Sequence, residues 1–365
     1  MNLLKNTLEH LQALVAFDTR NPPRAIGTGG IFNYLRRSLS GFALTLTDHG
    51  AGAVSLLAVR GRPRRLFNVH LDTVPDSPHW HSNPFELSIG ADRAVGLGAC
   101  DIKGAAAAML AVAQSSQGDC AFLFSTDEEA NDGRCIAAFI ARQMAFDAVI
   151  VAEPTACEAV LTHRGNHSVR VRFSGRAGHA SATQQAGDSA LHQAVRWGDK
   201  ALDLVEAQAR QRFAGLTGLR FNIGRIEGGI KANVIAPEAE LRFGFRPLPS
   251  MDHGELLEAF RTVTDIEPAE FEETFCGPSL PSGTSQNAEQ QRRQASDLAD
   301  ALQLPVGKAV DFWTEASLFS SAGYVSLVLG PGSIEQAHSA DEWVALEQLS
   351  RYANHLQWII HDGCA

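Results

Sequence analysis

The first 165 residues leave few folds open, because short apolar runs alternate there with helical stretches. The runs "RRLFNVHLD", "AFLFST" and "DAVIVAEPT" have the length of buried strands, and the Ala-rich "KGAAAAMLAVAQ" and then "CIAAFIARQ" read as the helices between them. Such alternation predicts an α/β domain with a mostly parallel, buried sheet. In open sheets of that kind, ligands collect at the carboxyl ends of the strands, so the residues just after each run carry the functional signal.

From about residue 166 the pattern changes. "HSVRVRFSG" and "AELRFGFRP" alternate polar and apolar residues as one-sided antiparallel strands do, with the helical "SALHQAVRWGDKALDLVEAQAR" between them. After "FEETFCGPSLPSG" come a solvated amphipathic helix, "NAEQQRRQASDLADALQL", and a further buried strand, "VSLVLGPG". We therefore expect an α/β domain in two parts, 1–165 and 279–365, with an inserted α+β domain over 166–278.

At 365 residues and 45% hydrophobic content the chain can bury a substantial core. The opening "MNLLKNTLEHLQALVAF" reads as an amphipathic helix rather than a signal peptide, and no apolar run is long enough to span a bilayer. A net charge of -10 without a Lys/Arg cluster argues against nucleic-acid binding. Six cysteines, Cys100, Cys120, Cys135, Cys157, Cys276 and Cys364, show no CxxC spacing and are expected as reduced thiols in a cytoplasmic protein. Cys100 reads as a small buried filler, since no His pairs with it in sequence.

Each strand end carries a residue of metal-ligand type: His70 and Asp72 in "NVHLDTVP", Asp101 in "GLGACDIKG", Glu128 and Glu129 in "STDEEAND", Glu153 in "VAEPT" and His338 in "GPGSIEQAHSADEW". Taken singly, Asp101 and Glu153 could cap helices and His70 could be a core histidine. Taken together, with one ligand from each of the five stretches, two imidazoles and three carboxylates make a mixed N/O set that suits zinc, cobalt or manganese. Adjacent glutamates repel unless a cation neutralises them, and more than three ligands points to two ions sharing a carboxylate. A general base is needed besides, which gives the extra glutamate a use.

Nine stretches, "HLDTVP", "GLGACDIKG", "STDEEAND", "VAEPT", "GRAGHAS", "GGIKANVIAP", "FRPLPSM", "WTEAS" and "GPGSIEQAHSADEW", occur in an order that resembles the acetylornithine deacetylase, succinyl-diaminopimelate desuccinylase and carboxypeptidase G family of metallohydrolases, over about residues 15–345. The resemblance implies one ion on His70 and Glu153, a second on Glu129 and His338, and Asp101 bridging them. It implies that Glu128 is the general acid/base and that Asp72 accepts a hydrogen bond from the other nitrogen of His70, fixing its tautomer. His179 would act at the active site of the partner subunit, helping to polarise the scissile carbonyl, and Asn233 and Arg246 would bind substrate, Arg246 through its α-carboxylate. Many relatives carry Arg or Thr where this chain has Leu97 or Ala99.

The resemblance further implies a cytoplasmic, homodimeric deacetylase of arginine biosynthesis, holding one or two zinc or cobalt ions per subunit and bound to neither membrane nor nucleic acid. Its substrate would be an N2-acetyl amino acid, acetylcitrulline first and acetylornithine as the alternative. A peptidase or desuccinylase is a weaker reading, and a metal-free binding protein is opposed by the complete ligand set. Glu315 in "WTEAS" is expected to anchor structure rather than select substrate, since it also occurs in the acetylornithine branch.

Overall fold

The structure is a computed structural model and describes residues 3–183, 185, 187–283 and 285–361. Cys364 lies outside the described residues. The chain forms two compact units, one of Met1–Leu161, Gln291–Lys308 and Thr314–Ala365, the other of Thr162–Gln290 and Ala309–Trp313.

Among the described residues ten strands are longer than three residues: β1 (Ala43–Asp48), β2 (Val54–Arg60), β3 (Arg65–His70), β4 (Cys120–Ser125), β5 (Ala148–Val151), β6 (Asn166–Ser174), β7 (Arg220–Gly228), β8 (Glu238–Arg246), β9 (Glu270–Gly277) and β10 (Val325–Val328). In the first unit they form one sheet in the order β1-β2-β4-β3-β5-β10. Strands β4, β3, β5 and β10 run parallel, while β1 and β2 add an antiparallel edge. The parallel strands carry almost unbroken apolar sequence because both faces of this sheet are covered.

The Ala-rich segment forms helix Gly104–Ser115, of which Gly104 to Ala113 are all buried. Methyl side chains let it lie between the N-terminal helix Leu3–Val15 and the C-terminal helix Leu346–His361. These three helices and the sheet face beneath them form the main core, to which Ala295, Ala299, Leu302 and Leu304 also contribute.

In the second unit β7, β8, β6 and β9 form an antiparallel sheet in that order. Alternation puts Val169, Val171 and Phe173 of β6 and Leu241, Phe243 and Phe245 of β8 on one buried face. Helix Ala190–Ala207 starts where the Ser189 side chain accepts from the His192 N–H, and it packs Trp197 onto this face. The Trp197 indole N–H donates to the Phe260 carbonyl at 3.0 Å, so its one polar atom is satisfied in the core.

Candidate metal centre

The three central parallel strands fix half of the site. β3 ends at His70, β4 ends three residues before Glu128, and β5 ends two residues before Glu153. Since β4, β3 and β5 are neighbours running in one direction, their carboxyl ends share one edge of the sheet. Asp101 lies in an irregular turn leading into helix Gly104–Ser115, with φ -123 and ψ 84, and His338 lies in the loop that follows β10, with φ 56.

There the side chains converge into two groups that share one member. His70, Asp101 and Glu153 form one potential metal site, and Asp101, Glu129 and His338 form the other. His70 Nε2 is 3.1 Å from Asp101 Oδ1 and 3.8 Å from Glu153 Oε1. His338 Nε2 is 3.1 Å from Glu129 Oε1 and 3.4 Å from Asp101 Oδ2. One oxygen of Asp101 thus faces each imidazole, which is the disposition a bridging carboxylate needs. The donors are imidazole nitrogen and carboxylate oxygen alone, a set that fits a divalent transition-type ion.

The electrostatics call for added positive charge. Burial disfavours a charged His70, yet hydrogen bonds from its ring to Asp101 and Asp72 hold its pKa well above the ordinary imidazole range. His338 is pushed up to about 11 by Asp101 and Glu129. Burial would raise Asp101, but its hydrogen bonds with His338 and His70 hold it well below the usual carboxylate range. Glu128, Glu129 and Glu153 are all raised, first by burial and then by the negative charges around them. Four carboxylates against two imidazoles leave excess negative charge, which divalent cations would neutralise.

Asp72, fully buried, holds the frame. Its Oδ2 accepts from the Asn21 side-chain amide at 2.8 Å and from the Glu129 main-chain N–H at 3.0 Å. His70 Nδ1 lies 3.0 Å from the main-chain oxygen of Asp72 and 3.5 Å from its carboxylate, so the main chain is the nearer acceptor for fixing the tautomer. The Glu128 carboxylate has no hydrogen-bond partner among the described residues. Its neighbours in charge are His70, Glu153, Glu129 and Asp101. Cys100 is buried and its thiol is pushed far up by burial, which suits an inert filler. Leu97 and Ala99 are buried in the same turn.

Glu315 lies beneath this edge rather than on it. It is 1% exposed, and its Oε2 accepts from the Ser125 hydroxyl at 3.1 Å. In the amide orientation that satisfies both its ends, Asn68 donates to the same oxygen at 3.0 Å. Burial, with Asp127 next, pushes the pKa of Glu315 up to about 8. An acid raised on folding keeps its proton in the native state while the unfolded chain ionises. This contribution to stability is therefore full below about pH 4.5 and is lost as pH rises towards 8. Glu315→Gln retains the oxygen that Ser125 and Asn68 use and puts an NH2 where the protonated acid has its O–H. We expect the variant to gain on wild type by about 2 °C or more in melting temperature between pH 5 and pH 8.5. Melting curves at both pH values check this, and a pH-independent difference would contradict it.

A third group, His167, His253, Glu273 and Cys276, gathers in the second unit. His167 and His253 stack with centroids 4.4 Å apart and planes 14° apart, each hydrogen-bonded to Glu273 at 2.8 Å. An ion in the plane of one ring would lie well off the plane of the other, so the group reads as a stacked pair sharing one carboxylate.

The other expected residues are also in the second unit. His179 pairs with Val234 across a short two-stranded ladder, and the Ala180 N–H donates to the Asn233 carbonyl at 3.0 Å, so His179 and Asn233 are brought together. Both are exposed. Arg246 ends β8, half-buried, its pKa lowered by burial. Sequence reasoning did not single out Asn21 or Glu342, which hold site residues through an amide and through backbone N–H groups respectively. Contacts of that kind leave no motif.

Comparison with known proteins places these features in context. Residues 66–362 match the model of Peptidase family M20/M25/M40. The chain is 66% identical over 361 residues to the N-acetyl-L-citrulline deacetylase of Xanthomonas campestris pv. campestris, covering 99% of each. It is 28% identical to the acetylornithine deacetylase of Klebsiella pneumoniae, covering 88% of this chain and 83% of that one. Among solved structures, the aminopeptidase PepT of Bacillus cereus shares the fold with a TM-score of 0.72 at 19% identity, covering 98% of each chain. The Bacillus subtilis YXEP protein, described as a dinuclear metal binding peptidase, gives a TM-score of 0.67 at 13% identity, covering 97% of this chain and 96% of that one.

Proposed function

The chain belongs to Peptidase family M20/M25/M40, and on that footing we propose a metal-dependent deacetylase that hydrolyses N2-acetyl-L-citrulline to acetate and L-citrulline. N2-acetyl-L-ornithine is the alternative substrate. The substrate reading is supported by 66% identity over nearly the whole chain, against 28% to the acetylornithine enzyme. The chemistry is supported by Asp101, shared between two ligand groups beside a free glutamate.

His70, Asp101 and Glu153 would hold one ion and Asp101, Glu129 and His338 the other, zinc or cobalt by donor type. When bound, such ions supply Lewis-acid polarisation of a carbonyl and a water acidic enough to react near neutral pH. Glu128 would act as the general base, taking a proton from the attacking water as the water oxygen bonds to the acetyl carbon. It then returns the proton to the amide nitrogen as the C–N bond breaks. Asp72 keeps the catalytic loop in register, through the Glu129 N–H, with the strand that carries His70. For His179 as a carbonyl-polarising residue acting in the partner's site, and for Asn233 and Arg246 as substrate ligands, the support is the motif resemblance.

Homodimerisation is supported by the apolar residues the second unit leaves exposed: Val195 and Leu202, two turns apart on helix Ala190–Ala207, and Ile226 on the edge strand β7. A cytoplasmic place in arginine biosynthesis follows from the proposed substrate. Among the described residues no helix is long and apolar enough to cross a membrane.

Parallel assays of acetylcitrulline and acetylornithine test the reading, which fails if neither is hydrolysed by metal-loaded protein. Arg246→Lys keeps the charge and loses the planar fork, so kcat/KM should fall roughly ten- to a hundredfold, as for loss of one charge-assisted bond. Both substrates carry the same α-carboxylate, so the two losses should match. Unequal losses would remove Arg246 from that role.

A further inference from the structure

The loop that carries Asp101 is held by a carboxylate that belongs to neither ligand group. Glu342 is 2% exposed, and its Oε1 accepts from the main-chain N–H groups of Cys100 at 2.8 Å and of Asp101 itself at 2.9 Å. Its Oε2 accepts from the Gly98 N–H at 3.0 Å. The backbone here departs from helical geometry at Asp101 and Ile102, so the N–H groups that Glu342 engages lack the regular partners a helix would give them. The main chain of Glu342 is pinned too. Its carbonyl accepts from the Gly96 N–H at 3.0 Å, and the next residue, Trp343, begins a short strand paired with Arg93–Val95.

Glu342 also follows His338 by four residues on the same loop. One buried side chain therefore ties the segment bearing the shared carboxylate to the segment bearing an imidazole of the second group. We propose that Glu342 is a positioning residue that sets Asp101 against His338, so that both oxygens of Asp101 stay available to two ions. The proposal rests on the reading of Asp101 and His338 as metal ligands. Glu342 belongs to neither ligand group, and both of its oxygens already accept hydrogen bonds from the Asp101 loop.

The test is Co2+ binding by the full chain after removal of metal with a chelator, followed by equilibrium dialysis, with melting curves alongside. Glu342→Gln keeps one acceptor for Cys100 and Asp101 but sets its NH2 against the Gly98 N–H, donor to donor. Affinity for Co2+ should fall about ten- to a hundredfold, the usual effect of losing an outer partner of a metal ligand. In reloaded protein kcat should fall more than KM changes. Glu342→Asp, which keeps the charge, should recover part of both losses. Wild-type Co2+ affinity in a folded Glu342→Gln overturns the proposal while leaving the metal centre standing. Absence of Co2+ binding by wild type overturns both. Failure of both variants to fold would make Glu342 a folding element and overturn the positioning role.

Discussion

Glu128→Gln should lose activity by about 10²–10⁴ in kcat while binding metal as well as wild type does. The substitution is isosteric and removes only the ability to take up and return a proton. Glu128 has the surroundings for that work: its carboxylate is unpartnered among the described residues, and burial, with Glu153, Glu129 and Asp101 next, raises its proton affinity. Next to it, Glu129 faces His338 at 3.1 Å and belongs with Asp101 and His338 to one potential ligand group, which Glu128 does not. Glu129→Gln should therefore lower metal content, where Glu128→Gln should not. Replacing an acid whose charged form is disfavoured by burial and by the acids around it should also leave the metal-stripped variant at least as stable as stripped wild type at neutral pH. Paired measurements of kcat, metal stoichiometry and melting temperature decide it. Near-normal kcat in Glu128→Gln, or metal loss equal to that of Glu129→Gln, would show that the two glutamates do not divide the work.

What could be read from the sequence was what periodicity and donor chemistry encode. "AFLFST" and "DAVIVAEPT" announce buried parallel strands because nothing polar interrupts them, and Glu128, Glu129 and Glu153 stand out because acids at the ends of such strands need a cation. The antiparallel edge formed by β1 and β2 was less legible. β1 has only exposed and half-buried residues, while β2 reads as a buried run, so the hairpin has no single pattern. The return of Ala309–Trp313 to the second unit had no signal either, since it is set by pairing. The His163 main chain bridges to Val310, and the Arg164 guanidinium, fully buried, donates to Asp311 and to the carbonyls of Thr217 and Gly218. Glu342 shows the same limit at the site. It stands in a quoted motif, but its partners are backbone N–H groups more than 240 residues away, and any sequence has those.

Among the members of the two ligand groups, Asp101→Asn should be the most damaging single substitution, and the reason is connectivity. Glu153 belongs to one ligand group and Glu129 to the other, while Asp101 belongs to both. Losing Glu153 or Glu129 leaves one group intact, so Glu153→Gln and Glu129→Gln should each retain about one ion per chain. Asparagine at 101 offers one oxygen and one NH2, so it cannot present an anionic oxygen to both ligand groups. Its NH2 must also point towards His70 or His338, whose Nε2 atoms lie 3.1 and 3.4 Å from the present carboxylate. Metal-assisted polarisation is worth several kcal/mol in the transition state, which at 1.36 kcal/mol per decade corresponds to a loss of about a thousandfold or more in kcat/KM. Metal analysis should find less than one ion per chain, and excess metal should restore little activity. Charge counting predicts a second effect. Without the carboxylate the two groups share, the metal-free centre has less negative charge to set against two raised imidazoles, so His338, held at about 11 by Asp101 and Glu129, should titrate lower. NMR titration of His338 in metal-stripped wild type and variant reads this directly. Full metal content with near-normal turnover in Asp101→Asn would mean that the two groups are independent and that no carboxylate joins them.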